Sequence, residues 1–235
     1  MTAAPPNKTV LLIGASRGLG LAIAEEYLRM GSAVVATVRG TSRTPLHDLR
    51  DTFAEQLEIE TVDITLPEQL EALHARLAGR RIDLLFVNAG VTNAEQETVA
   101  TTSTDEFTRL MVTNALSPLR AVETLNDLVP ASGTIAIMSS GQGSIANNDG
   151  GGFEIYRASK ASLNQLVRSY AARHHDDPRT LLLMAPGWVR NTGVGGPDGR
   201  LSIEESIPHL VRTVDAQQGR GGLQFLDYQG KTVPW

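Results

Sequence analysis

Residues 8–20 read KTVLLIGASRGLG: an apolar run, Thr9–Ile13, passes without a break into Gly14, Ala15, Ser16, Arg17, Gly18, Leu19 and Gly20. Helix-spaced apolar residues follow at once, over 18–30. A strand, a glycine turn and a helix start in this order place the helix's first free N–H groups at the end of the strand. The helix dipole favours an anion there, and glycine lets a ligand reach the main chain, so the segment reads as a pyrophosphate cradle. The spacing is Gly-x3-Gly-x-Gly, whereas the commoner dinucleotide turn is Gly-x-Gly-x-x-Gly. Glycines can serve a tight turn alone; their place directly after the first strand favours the ligand.

Working outward, apolar runs recur at Ala33–Val38, Leu57–Val62, Ile82–Val87, Thr134–Met138, Leu181–Met184 and Leu223–Leu226. Helix-spaced stretches at 67–79, 104–128 and 155–174 lie between them. Short strands alternating with longer amphipathic stretches are the pattern of βαβ units. Runs such as LLFV and TIAIM are apolar throughout, as strands buried on both faces must be. Thr65, Pro67 and Glu68 have the cap, proline, acid order of a helix start. No repeat or low-complexity linker interrupts the pattern, and Gly150–Gly152 reads as a loop. The expectation is an α/β fold: one doubly wound, Rossmann-type domain over residues 1–235, with a seven-stranded, mostly parallel sheet and helices on both faces. A ligand belongs at the carboxyl ends of its strands, near the switch in strand order. The glycine-rich segment at about 190–217 is expected to form a small, mobile lid.

Composition narrows the function. The chain has 235 residues, 41% of them hydrophobic, and a formal net charge of -5. Nothing in that balance attracts nucleic acid or an anionic membrane. The absence of cysteine excludes disulfides, thiolate catalysis and Cys-ligated zinc. No apolar run approaches the length of a membrane span, and Met1–Lys8, with two prolines, lacks the apolar stretch of a signal peptide. A cytoplasmic location is expected.

The second informative segment is Tyr156-Arg157-Ala158-Ser159-Lys160. Positions four apart share a helix face, so a phenol and an ammonium can reach the same space. A phenol is a poor base at neutral pH, and a nearby cation is expected to bring its pKa towards the working range. With four tyrosines and three lysines in the chain, this spacing should arise by chance only about 0.05 times.

Together these residues resemble the short-chain dehydrogenase/reductase family over nearly the whole chain, and within it the C-factor-like branch. The narrower likeness lies in Ser139–Ile145, the glycine insert, Tyr156–Ala161 and Phe225–Tyr228. The resemblance implies a catalytic set of Ser140, Tyr156, Lys160 and Asn114. Tyr156 would exchange the proton, Ser140 would bond the substrate oxygen, and Asn114 would help hold Lys160 through water. It implies cofactor contacts from Gly14, Ser16, Arg17, Gly18, Leu19, Gly20, Arg39, Asp63, Ile64, Asn88, Ala89, Gly90, Tyr156, Lys160, Pro186, Gly187, Val189 and Thr192. Asp63 matches a residue that contacts adenine, and Thr192 one that bonds the nicotinamide carboxamide. Three departures stand out. Ile13 replaces a usual threonine, Val87 replaces a usual asparagine, and the interval from Ser140 to Tyr156 is three residues longer than the family's, which leaves Ser139 as an alternative to Ser140.

The expected cofactor is NADP(H). Counting seven residues from Gly31 puts Val38, which has no carboxylate for a ribose 2′-hydroxyl, at the end of the second strand. Arg39 and Arg17 could grip a 2′-phosphate. The expected reaction is reversible hydride transfer between the nicotinamide and a small carbonyl or alcohol substrate. The alternative is a nucleotide-binding signalling protein of the C-factor type with little turnover; a dehydratase or epimerase is a third reading. The resemblance also implies a homodimer or homotetramer built on the 104–128 and 155–174 helices. No metal site is expected: His174 and His175 diverge on a helix, and His47, His74 and His209 lack partners at ligand spacing. Arg80 and Arg81 read as a helix C-terminal charge pair. Trp188 could wall the substrate pocket or pack in a core; Trp235 could fold back over a site or mediate a subunit contact.

Overall fold

The computed structural model describes residues 8–193 and 195–235. Seven strands, β1 (Thr9–Ile13), β2 (Ala33–Val38), β3 (Leu57–Thr61), β4 (Leu84–Val87), β5 (Thr134–Met138), β6 (Thr180–Ala185) and β7 (Gly222–Asp227), form one sheet in the order β3-β2-β1-β4-β5-β6-β7. Every pairing is parallel, so the expected "mostly parallel" sheet is parallel throughout. Among the described residues there are seven α-helices: α1 (Gly18–Arg29), α2 (Pro45–Thr52), α3 (Pro67–Leu77), α4 (Thr104–Met111), α5 (Ser117–Leu125), α6 (Glu154–Arg173) and α7 (Ile203–Ala216).

Side chains alternate across a strand, and here both faces are covered. Leu11, Ile13, Leu85, Val87, Ile135, Ile137 and Leu183 point into one core, with α3, α5 and α6 over them. Val10, Leu12, Phe86, Ala136, Leu182 and Met184 point into the other, under α1 and α7. Leu70, Leu73 and Leu77 of α3, spaced three and four apart, are fully buried; truncating any one to alanine should cost about 2–5 kcal/mol. The direction of winding reverses between β1 and β4, which are neighbours. That pair is the switch point.

Three local expectations are corrected. Leu66, not Thr65, occupies the cap position of α3, and the Thr65 hydroxyl donates to Asp63 instead. The eight-residue α2 was not expected; it buries only Leu46 and starts in a reciprocal cap between Thr44 and His47. The lid read over 190–217 is mostly not a lid. α7 fills its second half, buries Ile207, Leu210, Val211 and Val214, and opens in a Ser202–Glu205 capping box. The remaining loop is closely built: a Cβ on Gly195 would lie 1.6 Å from the Val189 carbonyl oxygen, and one on Gly199 2.1 Å from the Arg190 nitrogen.

Candidate active site

The glycine turn sits at the switch point and is tied from two sides. Thr37 of β2 takes the Gly14 N–H on its hydroxyl (2.9 Å) and the Ala15 N–H on its carbonyl (2.8 Å). From the end of β4, Asn88 Nδ2 donates to the Gly14 carbonyl at 2.7 Å, and the Asn88 and Ala89 N–H groups both donate to Ile13. The glycines have different tasks. A Cβ on Gly14 would stand 2.8 Å from Ala89, and one on Gly20 2.1 Å from the Gly14 oxygen, so these two allow close packing. Gly18 has φ +58° with open space beside it, leaving the main chain accessible.

The turn fits a dinucleotide phosphate. The cap position of α1, Arg17, makes no side-chain capping bond, and the first turn carries no acid. Its leading N–H groups therefore point outward at the carboxyl end of β1, where an anion satisfies them. Ser16 and Leu19 are half-buried around the turn, while Arg17 and Arg39 are exposed, the latter directly after buried Val38. Neither arginine joins an ion pair among the described residues. Beyond β3, Asp63 Oδ1 accepts from the Thr65 N–H and hydroxyl, and Ile64 is buried.

The proton-handling residues converge from β5, α6 and the helix before α5. Tyr156, Ser159, Lys160 and Asn164 lie on the buried side of α6. Lys160 Nζ donates to the Met138 carbonyl at 2.9 Å and stands 5.9 Å from the centre of the Tyr156 ring. Asn114, fully buried, receives the Val91 N–H on Oδ1 (2.8 Å) and donates from Nδ2 to the Val91 carbonyl (2.8 Å) and Ser159 Oγ (2.9 Å). A Cβ on Gly90 would lie 3.3 Å from Asn114 Oδ1 and 3.5 Å from Lys160 Nζ, so the missing side chain leaves both groups bordering one small space.

The two serines part company. Ser139 is buried and donates to Asn164 Oδ1 at 2.6 Å. Ser140 is half-buried; its oxygen accepts from the Gln142 N–H at 3.1 Å and the hydroxyl faces the Tyr156 phenol. Burial pushes that phenol up to about 12, against the opposing pull of Ser140. Burial also holds Lys160 down to about 8. Burial disfavours the charged form of each group: it outweighs Ser140 at the phenol and lowers Lys160, which at about 8 is still mainly an ammonium at neutral pH.

On the far side, Pro186 accepts from Ser206 Oγ (2.6 Å), and Gly187, at φ +84°, would drive a Cβ to 2.6 Å from Leu201. Val189 is buried and its carbonyl takes the Thr192 hydroxyl proton at 2.6 Å. Trp188 is exposed under Arg200, 5.9 Å away. Trp235 packs on Phe225 under Arg168, and its carbonyl accepts the Ala146 N–H. Sequence reading missed Thr37, Asn164 and Ser159 as supports, although a buried polar residue in an apolar strand was a legible signal for Thr37. No cluster of His, Asp or Glu suited to a metal ion occurs among the described residues; Arg80 and Arg81 pair with Glu58 and Asp83. No helix among the described residues is long and apolar enough to cross a membrane.

The short chain dehydrogenase family matches residues 8–198. The chain belongs to the short-chain dehydrogenase/reductase family. A short-chain dehydrogenase/reductase from Burkholderia multivorans with bound NADP is 59% identical, covers 98% of this chain and 100% of its own, and superposes with a TM-score of 0.95. A carbonyl reductase from Pseudomonas aeruginosa PAO1 in complex with NADP is 38% identical, with a TM-score of 0.89 over 97% of this chain and 100% of that one. The C-signal of Myxococcus xanthus is 35% identical over 66% of this chain and 93% of its own length. The likeness to the C-factor branch thus holds within this oxidoreductase family.

Proposed function

We propose that this short-chain dehydrogenase/reductase is an NADP(H)-dependent carbonyl reductase and alcohol dehydrogenase, working as one catalytic domain. The observation that carries the reading is the buried Tyr156 phenol facing Ser140 beside Lys160, at the carboxyl ends of the strands that present the glycine turn. When bound, the nicotinamide supplies or accepts the hydride. The Gly14–Gly20 turn, Asp63, Ile64, Asn88–Gly90, Pro186, Gly187, Val189 and Thr192 would hold the cofactor. Tyr156, kept protonated by burial, donates to the nascent alkoxide in reduction and recovers the proton in oxidation. Ser140 orients the substrate oxygen; Ser139 is committed to Asn164 and braces α6 against β5. Lys160 keeps positive charge beside the phenol, and Asn114 fixes the backbone at Val91 and the Ser159 turn of α6.

NADP(H) is favoured over NAD(H) by the absence of a carboxylate at Val38 and by exposed Arg17 and Arg39. The NADP-bound relatives add support. A charge-assisted bond of about 1.5–3 kcal/mol corresponds to a preference of roughly 10- to 150-fold. Wild type should reduce members of an aldehyde and ketone panel with a kcat/KM at least about tenfold higher for NADPH than for NADH. Val38→Asp with Arg39→Leu should lose or invert that preference. Tyr156→Phe should keep NADPH affinity while turnover falls by about 100-fold or more. A phenylalanine variant with a third of wild-type turnover would sink the assignment.

A further inference from the structure

The interval between Ser140 and Tyr156 ends in three successive residues with left-handed backbone: Gly151 (φ 65°), Gly152 (φ 68°) and Phe153 (φ 50°). The glycines adopt this conformation freely, but an aromatic residue does so only when its surroundings over-determine it. They do here. Arg157 Nε donates to the Gly151 and Gly152 carbonyls at 3.1 and 2.8 Å, and the Phe153 N–H donates to the Glu95 carbonyl at 2.9 Å. The Glu154 carboxylate accepts the Val99 N–H at 2.9 Å. The product of these ties is the position of one ring. Phe153 stands 6.5 Å from the Tyr156 ring centre at an interplanar angle of 69°, edge to face. With Val91, Leu110, Ile155 and Tyr156 it makes a third apolar cluster, separate from both cores of the sheet.

We propose that Phe153 is a specificity-determining residue: its ring forms an apolar wall beside Tyr156 that selects substrates with a flat apolar group next to the reacting carbon. The backbone alone would be served by glycine, which takes this conformation without strain, so what the chain retains at this position is the ring. The ring is half-buried and meets the Tyr156 ring edge to face, which leaves part of its surface free beside the reactive phenol's ring. The inference rests on the carbonyl chemistry proposed above, and its test separates the two. Phe153→Gly removes the ring and relieves the backbone; Phe153→Tyr keeps an aromatic ring. Reduction of benzaldehyde and of propanal is measured in both variants, with the Tm, NADPH binding by fluorescence titration, and benzyl alcohol binding by saturation-transfer NMR. In Phe153→Gly the benzaldehyde-to-propanal ratio of kcat/KM should fall at least tenfold, mainly through KM. Its Tm should fall by a few degrees at most, since relief of the left-handed backbone offsets part of the lost packing; NADPH binding should be unchanged, and the benzyl alcohol signal should be lost. Phe153→Tyr should keep the wild-type ratio. A ratio within twofold of wild type in Phe153→Gly, an equal loss on both aldehydes with a larger fall in Tm, or no benzyl alcohol binding to wild type would each overturn the proposal. If wild type turns over neither aldehyde yet binds benzyl alcohol through Phe153, the carbonyl reading fails and the ring's role stands.

Discussion

Lys160 is the most informative single residue because its burial sets two quantities at once. It stands as an ammonium donating to Met138, yet burial holds its pKa at about 8 against 10.5 for an ordinary lysine. Between those values the unfolded chain binds more protons than the folded one, so this residue's contribution to stability rises with pH across that window. Below about 8 the penalty is complete, on the order of 3 kcal/mol at about 1.4 kcal/mol per unit. Tyr156 acts in the opposite sense and later: the folded phenol keeps its proton to about 12, so its contribution falls only above 10. Denaturant unfolding of wild type and Lys160→Met, followed from pH 7.5 to 10, isolates the lysine because both chains keep Tyr156. The stability difference, wild type minus variant, should climb by about 2–3 kcal/mol across that range. A flat difference would mean that Lys160 titrates as an exposed lysine does. The Tyr–Lys spacing was legible in the sequence; the direction of both shifts was not, because it depends on what α6 packs against. The same holds for Ser139 and Ser140, adjacent in sequence but one turned to Asn164 and the other to the phenol.

At the scale of the element, the helix bearing Asn114 departs from regular geometry. Between α4 and α5 the residues Val112–Leu116 form a π-helical turn, and Pro118 follows in the first turn of α5. Proline lacks an N–H for the carbonyl four residues earlier, and its ring crowds that carbonyl. The residue four before Pro118 is Asn114. A widened turn removes the clash and rotates Asn114 inward, where its amide meets Val91 and Ser159; such bulges recur at functional sites. Pro118→Ala removes the reason for the bulge, so the fold should survive while kcat drops several-fold as Asn114 shifts. Asn114→Ala, by contrast, removes three hydrogen bonds, two to the half-buried Val91 backbone and one to buried Ser159, and should lower stability by about 2–4 kcal/mol. Circular dichroism melts and turnover on the same preparations separate the two results; equal behaviour would show that the bulge has another cause. The sequence 104–128 read as one long helix because its apolar spacing is continuous, and only the proline marked the defect. α7 was open to reading, since Ile207, Leu210, Val211 and Val214 have helical spacing behind a Ser202–Glu205 box. The glycines before it drew attention to a lid instead. α2 was not open, with a single buried residue to signal it.

For the whole molecule, the strands were legible because parallel strands covered on both sides must be apolar throughout, and the strand order follows once the glycine turn fixes β1 at the switch point. The two layers of helices do not bury every apolar residue. Phe107, Leu116 and Leu166 remain 38–39% exposed on the outer surface of the α4–α5 rod and of α6. Large apolar side chains gathered on adjoining helices favour burial against another protein surface, and closed homo-oligomers are the commonest solution. We propose that these helices pair between copies of this chain, as the family resemblance implies. Because the same helices carry Tyr156, Lys160 and Asn114 on their inner sides, pairing would brace the site from outside. Light scattering of wild type at micromolar concentration should return about twice or four times the 25.2 kDa chain mass. Leu166→Glu with Phe107→Glu sets charges into an apolar interface and should shift the particle to 25.2 kDa. Both positions are already exposed in the single chain, so the substitutions should leave its own fold intact. A wild type that stays at 25.2 kDa, or a double variant that remains assembled, would assign these residues to the ordinary scatter of exposed apolar side chains.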